Sequence, residues 1–230
     1  MEKSSKRNEN RDQSERMKLS FFPGCSLKAS GHENTMSLLK FCDRVNIDLI
    51  ELEDWNCCGS SSAHSVDHEV AKNLPMRNIS LAPKGIPLMI ACPSCMIRIK
   101  SMYLKIKNDI NLQKEYEDLW EKPFDDELEI IHFFDIFDRI NLKDYIADPK
   151  GKLKNLKVAA YYGCMLSMPP DLRLEKNYYG VIEKSLKKLG AQIISYGYGT
   201  RCCGTYLSAA KPKLAEKVVN EIVSKAMEAG

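Results

Sequence analysis

Short apolar runs alternate with amphipathic stretches along most of the chain. Runs near 18–22, 47–52 and 86–91, apolar or β-branched, predict three strands. Between the first two, Leu38, Leu39, Cys42 and Val45 form the stripe of a helix predicted over 32–45. More helical pattern follows the second strand, so the first half reads β-α-β-α-α-β. The second half repeats the theme, with strands near 156–161 and 191–196 and helices near 175–189 and 213–228. The last helix carries Leu214, Val218, Ile222 and Ala226 at steps of four. Strands alternating with helices predict an α/β fold with parallel sheets and helices on their faces.

The two halves resemble each other. In each, an apolar run ends in glycine and cysteine, Gly24-Cys25 and Gly163-Cys164. In each, a second apolar run leads into Cys-Cys-Gly, at Cys57-Cys58-Gly59 and Cys202-Cys203-Gly204. This is an internal duplication. The charged segment 109–155, with one apolar patch over 130–134, reads as a connector, and Asp148-Pro149-Lys150-Gly151 marks a loop before the second half. The expected division is a disordered tail over 1–17, a first domain over 18–108, the connector over 109–155 and a second domain over 156–230.

Charge narrows the function classes. Lys+Arg 34 against Asp+Glu 31 leaves a net +3, with no basic block interleaved with aromatics, so a nucleic-acid partner is not expected. The polar first 17 residues lack the apolar core of a signal peptide, and no run is long enough to span a bilayer. The expected location is the cytoplasm.

Nine cysteines in such a compartment point to metal or redox chemistry rather than disulfides. Cys25, the Cys57/Cys58 pair and Cys92 each fall just after a predicted strand. Ligands of parallel sheets gather at that carboxyl edge. Cys92-Pro93-Ser94-Cys95 puts two thiols on one turn where a helix begins, with Pro93 suited to the first helical position. Adjacent cysteines reach one small ion only through a bend, which Gly59 eases, whereas a cluster of several irons accepts ligands from more directions. Iron–sulfur ligation is therefore preferred over zinc, which remains the weaker alternative.

Cys42, on a helix stripe, reads as a small core residue. His64 and His68 have metal-ligand spacing in a predicted helix, but the cysteines account for a site without them. A lesser alternative sets His64 beside the site or a substrate pocket. His132, within an apolar run, reads as a packed and satisfied histidine. Phe21-Phe22 and Tyr161-Tyr162 read as strand-core residues. The lysine-rich stretch 150–157 reads as a solvated loop.

Phe22-Pro23-Gly24-Cys25, Trp55-Asn56-Cys57-Cys58-Gly59 and Cys92-Pro93-Ser94-Cys95 resemble the cysteine-rich CCG domain. The longer run DWNCCGSSSAHS followed by LPMRN resembles the B subunit of the CoB–CoM heterodisulfide reductases, and the likeness covers roughly 18–230. That resemblance implies two Rossmann-like CCG domains, the second incomplete. It implies a non-cubane [4Fe–4S] cluster on Cys25, Cys57, Cys58, Cys92 and Cys95, which thereby take the catalytic role. Cys164, Cys202 and Cys203 match three ligands of a partial second site. The family's remaining Cys-x-x-Cys, spaced as in the first half, would fall near 237 and 240, beyond Gly230.

The resemblance further implies reduction of the CoM-S-S-CoB disulfide to two thiols, an oxidoreductase activity on a sulfur group. Its implied partners are the family's C subunit, with cubane [4Fe–4S] clusters, and its flavin-containing A subunit. The alternative is an electron-transfer subunit of a lactate- or glycolate-oxidising type of complex, without a substrate of its own.

Overall fold

A computed structural model describes residues 16–60, 63–145, 153–167 and 178–230. The first half runs β1 (Met17–Phe22), α1 (Gly24–Lys28), α2 (His32–Arg44), β2 (Ile47–Glu51), α3 (Ala63–Val66), α4 (His68–Leu81), β3 (Leu88–Ile90), α5 (Pro93–Asn108), α6 (Ile110–Trp120), β4 (Ile130–His132) and α7 (Ile136–Arg139). The second runs β5 (Lys157–Ala159), α8 (Gly163–Ser167), α9 (Val181–Lys188), β6 (Gln192–Ile194) and α10 (Pro212–Ala229). The fold is α/β with parallel sheets, as the alternating pattern predicts. The expected disordered tail, apart from Arg16 and Met17, and the loop over 148–151 lie outside the described residues.

The first sheet has the order β2-β1-β3-β4, with every pairing parallel. Alternation along β1 sends Leu19 and Phe21 into a core with Leu38, Cys42 and Val45 of the α2 side. Phe22 points the other way, into a core with Met76 of α4 and Met96 and Ile99 of α5. The central strand β3 has Leu88, Met89 and Ile90 all fully buried, as a parallel strand covered on both faces requires. The α2 stripe differs at one position, because Leu39, one step round the helix from Leu38, is exposed.

No strand is expected from the pattern of the segment 109–155, yet Ile130, Ile131 and His132 pair with Leu88, Met89 and Ile90 as the fourth strand. Three residues are too few to show a period, and the neighbouring Phe133 and Phe134 hide the strand's end. Asp67 and Asp109 cap α4 and α6, each accepting from two backbone N–H groups of the following turn. The extended Asp67 also separates His64, in α3, from His68, at the start of α4, so the two are not on one helix as expected.

In the second half β5 and β6 form a parallel two-stranded sheet. Helix α9 begins at Val181 rather than near 175, where residues up to 177 lie outside the described ones. Gly180 precedes it at φ +92, a left-handed conformation that ends the helix there. On α10 the buried positions are Ala215 and Ile222, with Val218 and Ala226 partly covered, while the expected Leu214 is exposed.

Candidate metal centre

Every cysteine of the two repeated motifs follows the carboxyl end of a strand. Cys25 is the second residue of α1, directly after β1, and Cys164 is the second residue of α8, after β5. Cys57 and Cys58 lie in the loop after β2, and Cys202 and Cys203 in the loop after β6. Cys92 follows β3 as the residue before α5, with Pro93 first in that helix, and Cys95 sits in the helix's first turn. Parallel strands aligned in register bring all three segments of the first half to one edge.

The five thiols of the first half form a row of neighbours. Cys25 and Cys57 are within hydrogen-bond reach of each other, and Cys57 adjoins Cys58. The sulfurs of Cys58 and Cys95 are 3.2 Å apart, and Cys95 also reaches Cys92. Among the described residues no three His, Cys, Asp or Glu side chains surround a point as a lone ion would need. A row of five soft donors suits a group with several irons better than one ion.

The row is electrostatically uneven. The Cys95 pKa is pushed far up by its sulfur contacts with Cys58 and Cys92 and by burial. The same contacts draw Cys58 down to about 7 and Cys92 down to about 6, against the effect of burial. Backbone N–H groups of Ser94 and Cys95 also favour the Cys92 thiolate, as the start of a helix should. Burial pushes Cys57 up.

Glycine is required twice at this site. Gly24 lies at φ +72, and a methyl there would sit 3.1 Å from the Cys95 sulfur. Gly59 lies at φ +77, turns the chain after the cysteine pair and directs its N–H toward the Cys57 sulfur at 3.5 Å. The second half repeats both turns. Gly163 is at φ +65, Gly204 at φ +71, and the Gly204 N–H lies 3.4 Å from the Cys202 sulfur. Cys164 reaches Cys202, and Cys203 lies near enough to couple with it electrostatically. The described residues thus bring five thiols into one row in the first half and three near one another in the second.

A polar clamp not foreseen from the sequence holds the first cysteine pair. Asn78 of α4, fully buried, accepts from the Asn56 N–H at 3.1 Å and donates to the Asn56 carbonyl at 3.0 Å. The Asn56 side chain donates to the Cys57 carbonyl at 2.8 Å and to the Leu74 carbonyl at 3.0 Å. Arg77 adds a bond to the Asp54 carbonyl at 2.6 Å. An asparagine on the inward face of a helix was the available signal. His64 and His68 are both exposed and enter none of these contacts. His132 is packed and satisfied, as expected, and Cys42 is a core residue whose thiol burial pushes up to about 12.

The CCG cysteine-rich domain matches residues 19–100 and 158–230. The chain belongs to the CCG cysteine-rich domain family. Within that family it is similar to the B subunit of heterodisulfide reductase. The B subunit of a ferredoxin/F420H2-dependent CoB-CoM heterodisulfide reductase from Methanosarcina acetivorans is 24% identical over 199 residues, covering 81% of this chain and 65% of that one. A B-subunit-like heterodisulfide reductase protein from Archaeoglobus profundus is 24% identical over 216 residues, covering 89% and 72%. An 8-methylmenaquinol:fumarate reductase membrane anchor subunit from Wolinella succinogenes is 28% identical over 212 residues, covering 90% and 74%. The crystal structure of a hypothetical protein from Helicobacter pylori shares the fold, with a TM-score of 0.61 at 10% identity over 83% of this CCG chain and 35% of that one. Among the described residues no helix is long and apolar enough to cross a membrane.

Proposed function

We propose that this CCG protein is the iron–sulfur subunit of a heterodisulfide reductase. In this reading Cys25, Cys57, Cys58, Cys92 and Cys95 hold a non-cubane [4Fe–4S] cluster, and Cys164, Cys202 and Cys203 form part of a second site. The row of five sulfurs at the carboxyl edge of the first sheet is the observation that carries it. A bound cluster would supply one-electron equivalents and an iron centre able to engage a disulfide sulfur. The reaction takes two electrons and two protons, breaks the S–S bond of CoM-S-S-CoB and releases two thiols.

The chain's own contribution is shape and polarity. Buried Cys58 and Cys95 keep water from one side of the site. A cavity of about 500 Å³ extends from Pro93, next to Cys92, to Met165, next to Cys164, and is floored by Met96, Leu128 and Tyr178. In this reading it is the space where a disulfide would lie beside the two cysteine-bearing segments. The cytoplasmic location, the cubane-cluster C subunit and the flavin-containing A subunit belong to the same reading. So does the division into domains over 18–108 and 156–230, with the connector lending β4 to the first sheet.

Iron and acid-labile sulfide on anaerobically purified protein test this, with EPR on the oxidised sample before and after coenzyme M. Roughly four irons per chain and a thiol-sensitive spectrum support it, and their loss in Cys57→Ala or Cys58→Ala supports it further. No iron, or about one zinc, overturns it.

A second reading makes the chain an electron-transfer subunit without its own substrate. The similarity to a fumarate reductase subunit favours it. So does the cavity lining, where Asp126, Glu127, Glu129, Asp135 and Asp138 outnumber Lys100, Lys107 and Arg139, five against three, or −2 among the described residues. Such a lining repels a strongly anionic substrate. Purified complex that reduces fumarate with a quinol but never the disulfide would decide for this reading.

A further inference from the structure

Comparison of the two halves isolates one residue that the duplication does not explain. Tyr161 stands where Phe22 stands in the first half, two residues before the glycine that precedes the cysteine. The rings approach that glycine alike. A methyl on Gly24 would meet Phe22 Cε1 at 3.3 Å, and one on Gly163 would meet Tyr161 Cε1 at 3.4 Å. The difference is the hydroxyl. Phe22 is fully buried, whereas Tyr161 is 38% exposed and turns its oxygen to the cysteine loop. That oxygen donates to the Arg201 carbonyl at 2.6 Å and lies within hydrogen-bond reach of the Cys203 sulfur.

Arg201 occupies the position of Asn56, immediately before the cysteine pair. In the first half the carbonyl of that residue is held by Asn78, from helix α4. In the second half it is held by a phenol from the short segment between β5 and Cys164. The same backbone group is therefore satisfied in both halves by unrelated side chains. A side-chain partner at the same carbonyl in both halves fixes that peptide, whose orientation sets where both following sulfurs point.

We propose that Tyr161 is the positioning residue of the second cysteine set, tying the Cys202-Cys203 loop to the segment that carries Cys164 so that three thiols can bind metal together. The inference rests on the reading of those three cysteines as metal ligands. The phenol does not touch the first set, so its effect is confined to the second. Groups that orient metal ligands from outside the ligand shell typically change affinity by about 10- to 100-fold.

The test uses the full chain with Cys57, Cys58, Cys92 and Cys95 replaced by alanine, which leaves the second set to bind. Anaerobic Co²⁺ titration follows the thiolate-to-cobalt charge-transfer absorption. Tyr161→Phe is expected to weaken Co²⁺ binding by about tenfold and to shift the band, while in a chain with Cys202→Ala and Cys203→Ala it leaves binding by the first set unchanged. Should the four-alanine chain not fold, the phase abolished by Cys202→Ala and Cys203→Ala in the otherwise intact chain reports the second set. Equal affinity and an unshifted band with and without the hydroxyl overturn the inference but leave ligation by the second set standing. Absence of any thiolate band from that set overturns both. Equal weakening of both sets by Tyr161→Phe would show a general loss of structure and also overturns the inference.

Discussion

His132 Nε2 lies 3.1 Å from the carbonyl oxygen of Ala91, the residue just before Cys92. Its other ring nitrogen accepts from the Phe134 N–H at 3.2 Å, which assigns the proton to Nε2 and makes it the donor. The carbonyl preceding each paired or spaced cysteine motif is thus tied by a side chain. His132 holds Ala91, Asn78 holds Asn56 and Tyr161 holds Arg201.

The His132 tether predicts a pH dependence of folding. Burial lowers its pKa from 6.5 to about 4. The unfolded chain therefore binds a proton between those values that the folded chain refuses. Stability is complete above pH 6.5 and declines as pH falls toward 4, with a total loss of about 3 kcal/mol from this group. Urea unfolding of the metal-free protein at pH 7.5, 5.5 and 4.5 should show that decline, and His132→Gln should flatten it. An unaltered slope in the variant would exclude His132 as the source.

Replacing Asn78 by leucine should be costly despite the similar size. The change leaves the half-buried N–H and carbonyl of Asn56 without their partner, at about 1 kcal/mol for each group. Thermal unfolding of the metal-free protein should show a lower midpoint, and iron at the first cysteine set should fall in parallel. Asn78→Asp keeps the acceptor and loses the donor, so it should lie between.

Two glycines with nearly the same φ separate strain from crowding. Gly59→Ala would place a methyl 3.0 Å from Leu74 Cδ1 and 3.1 Å from Ala63 Cβ, whereas Gly85→Ala, at φ +75, meets nothing within 4 Å. The second change should cost only the backbone term of about 1–2 kcal/mol and leave metal loading intact. The first adds about 1–3 kcal/mol of overpacking and displaces the cysteine pair, so iron content should drop with stability. Equal loading in the two variants would contradict the placement of Gly59.

Cys42 should behave unlike the other thiols. It is 1% exposed and its pKa is pushed up to about 12, so almost no thiolate exists at pH 8. Iodoacetamide should leave it unmodified while exposed Cys25 is alkylated, as mass spectrometry of peptides would show. Cys42→Ala should leave iron content unchanged.

The strands that carry the cysteines were legible because each is a short apolar run followed within a few residues by a glycine or cysteine motif, and the duplication made the correspondence of the two halves plain. Strand β4 was not, since Ile130, Ile131 and His132 are continuous with the aromatic residues of the following turn. The cysteine positions were legible from spacing and resemblance. Their tethers were not, because Asn78, His132 and Tyr161 come from distant segments and act on backbone carbonyls, which leave no mark in side-chain pattern. His64 and His68 show the opposite error, in which spacing suggests a pair that Asp67 separates by capping a new helix.

The two-stranded second sheet has a kinetic consequence. Strand β1 is flanked by β2 and β3, while among the described residues β5 is paired with β6 alone. Opening the end of β5 needs fewer backbone bonds to break, so amides of Val158 and Ala159 should exchange with solvent before those of Leu19 and Phe21. Cys164 hangs from the faster strand and Cys25 from the slower one. In the proposed iron–sulfur reading, metal would accordingly leave the two sets on separate clocks, the second emptying before the first.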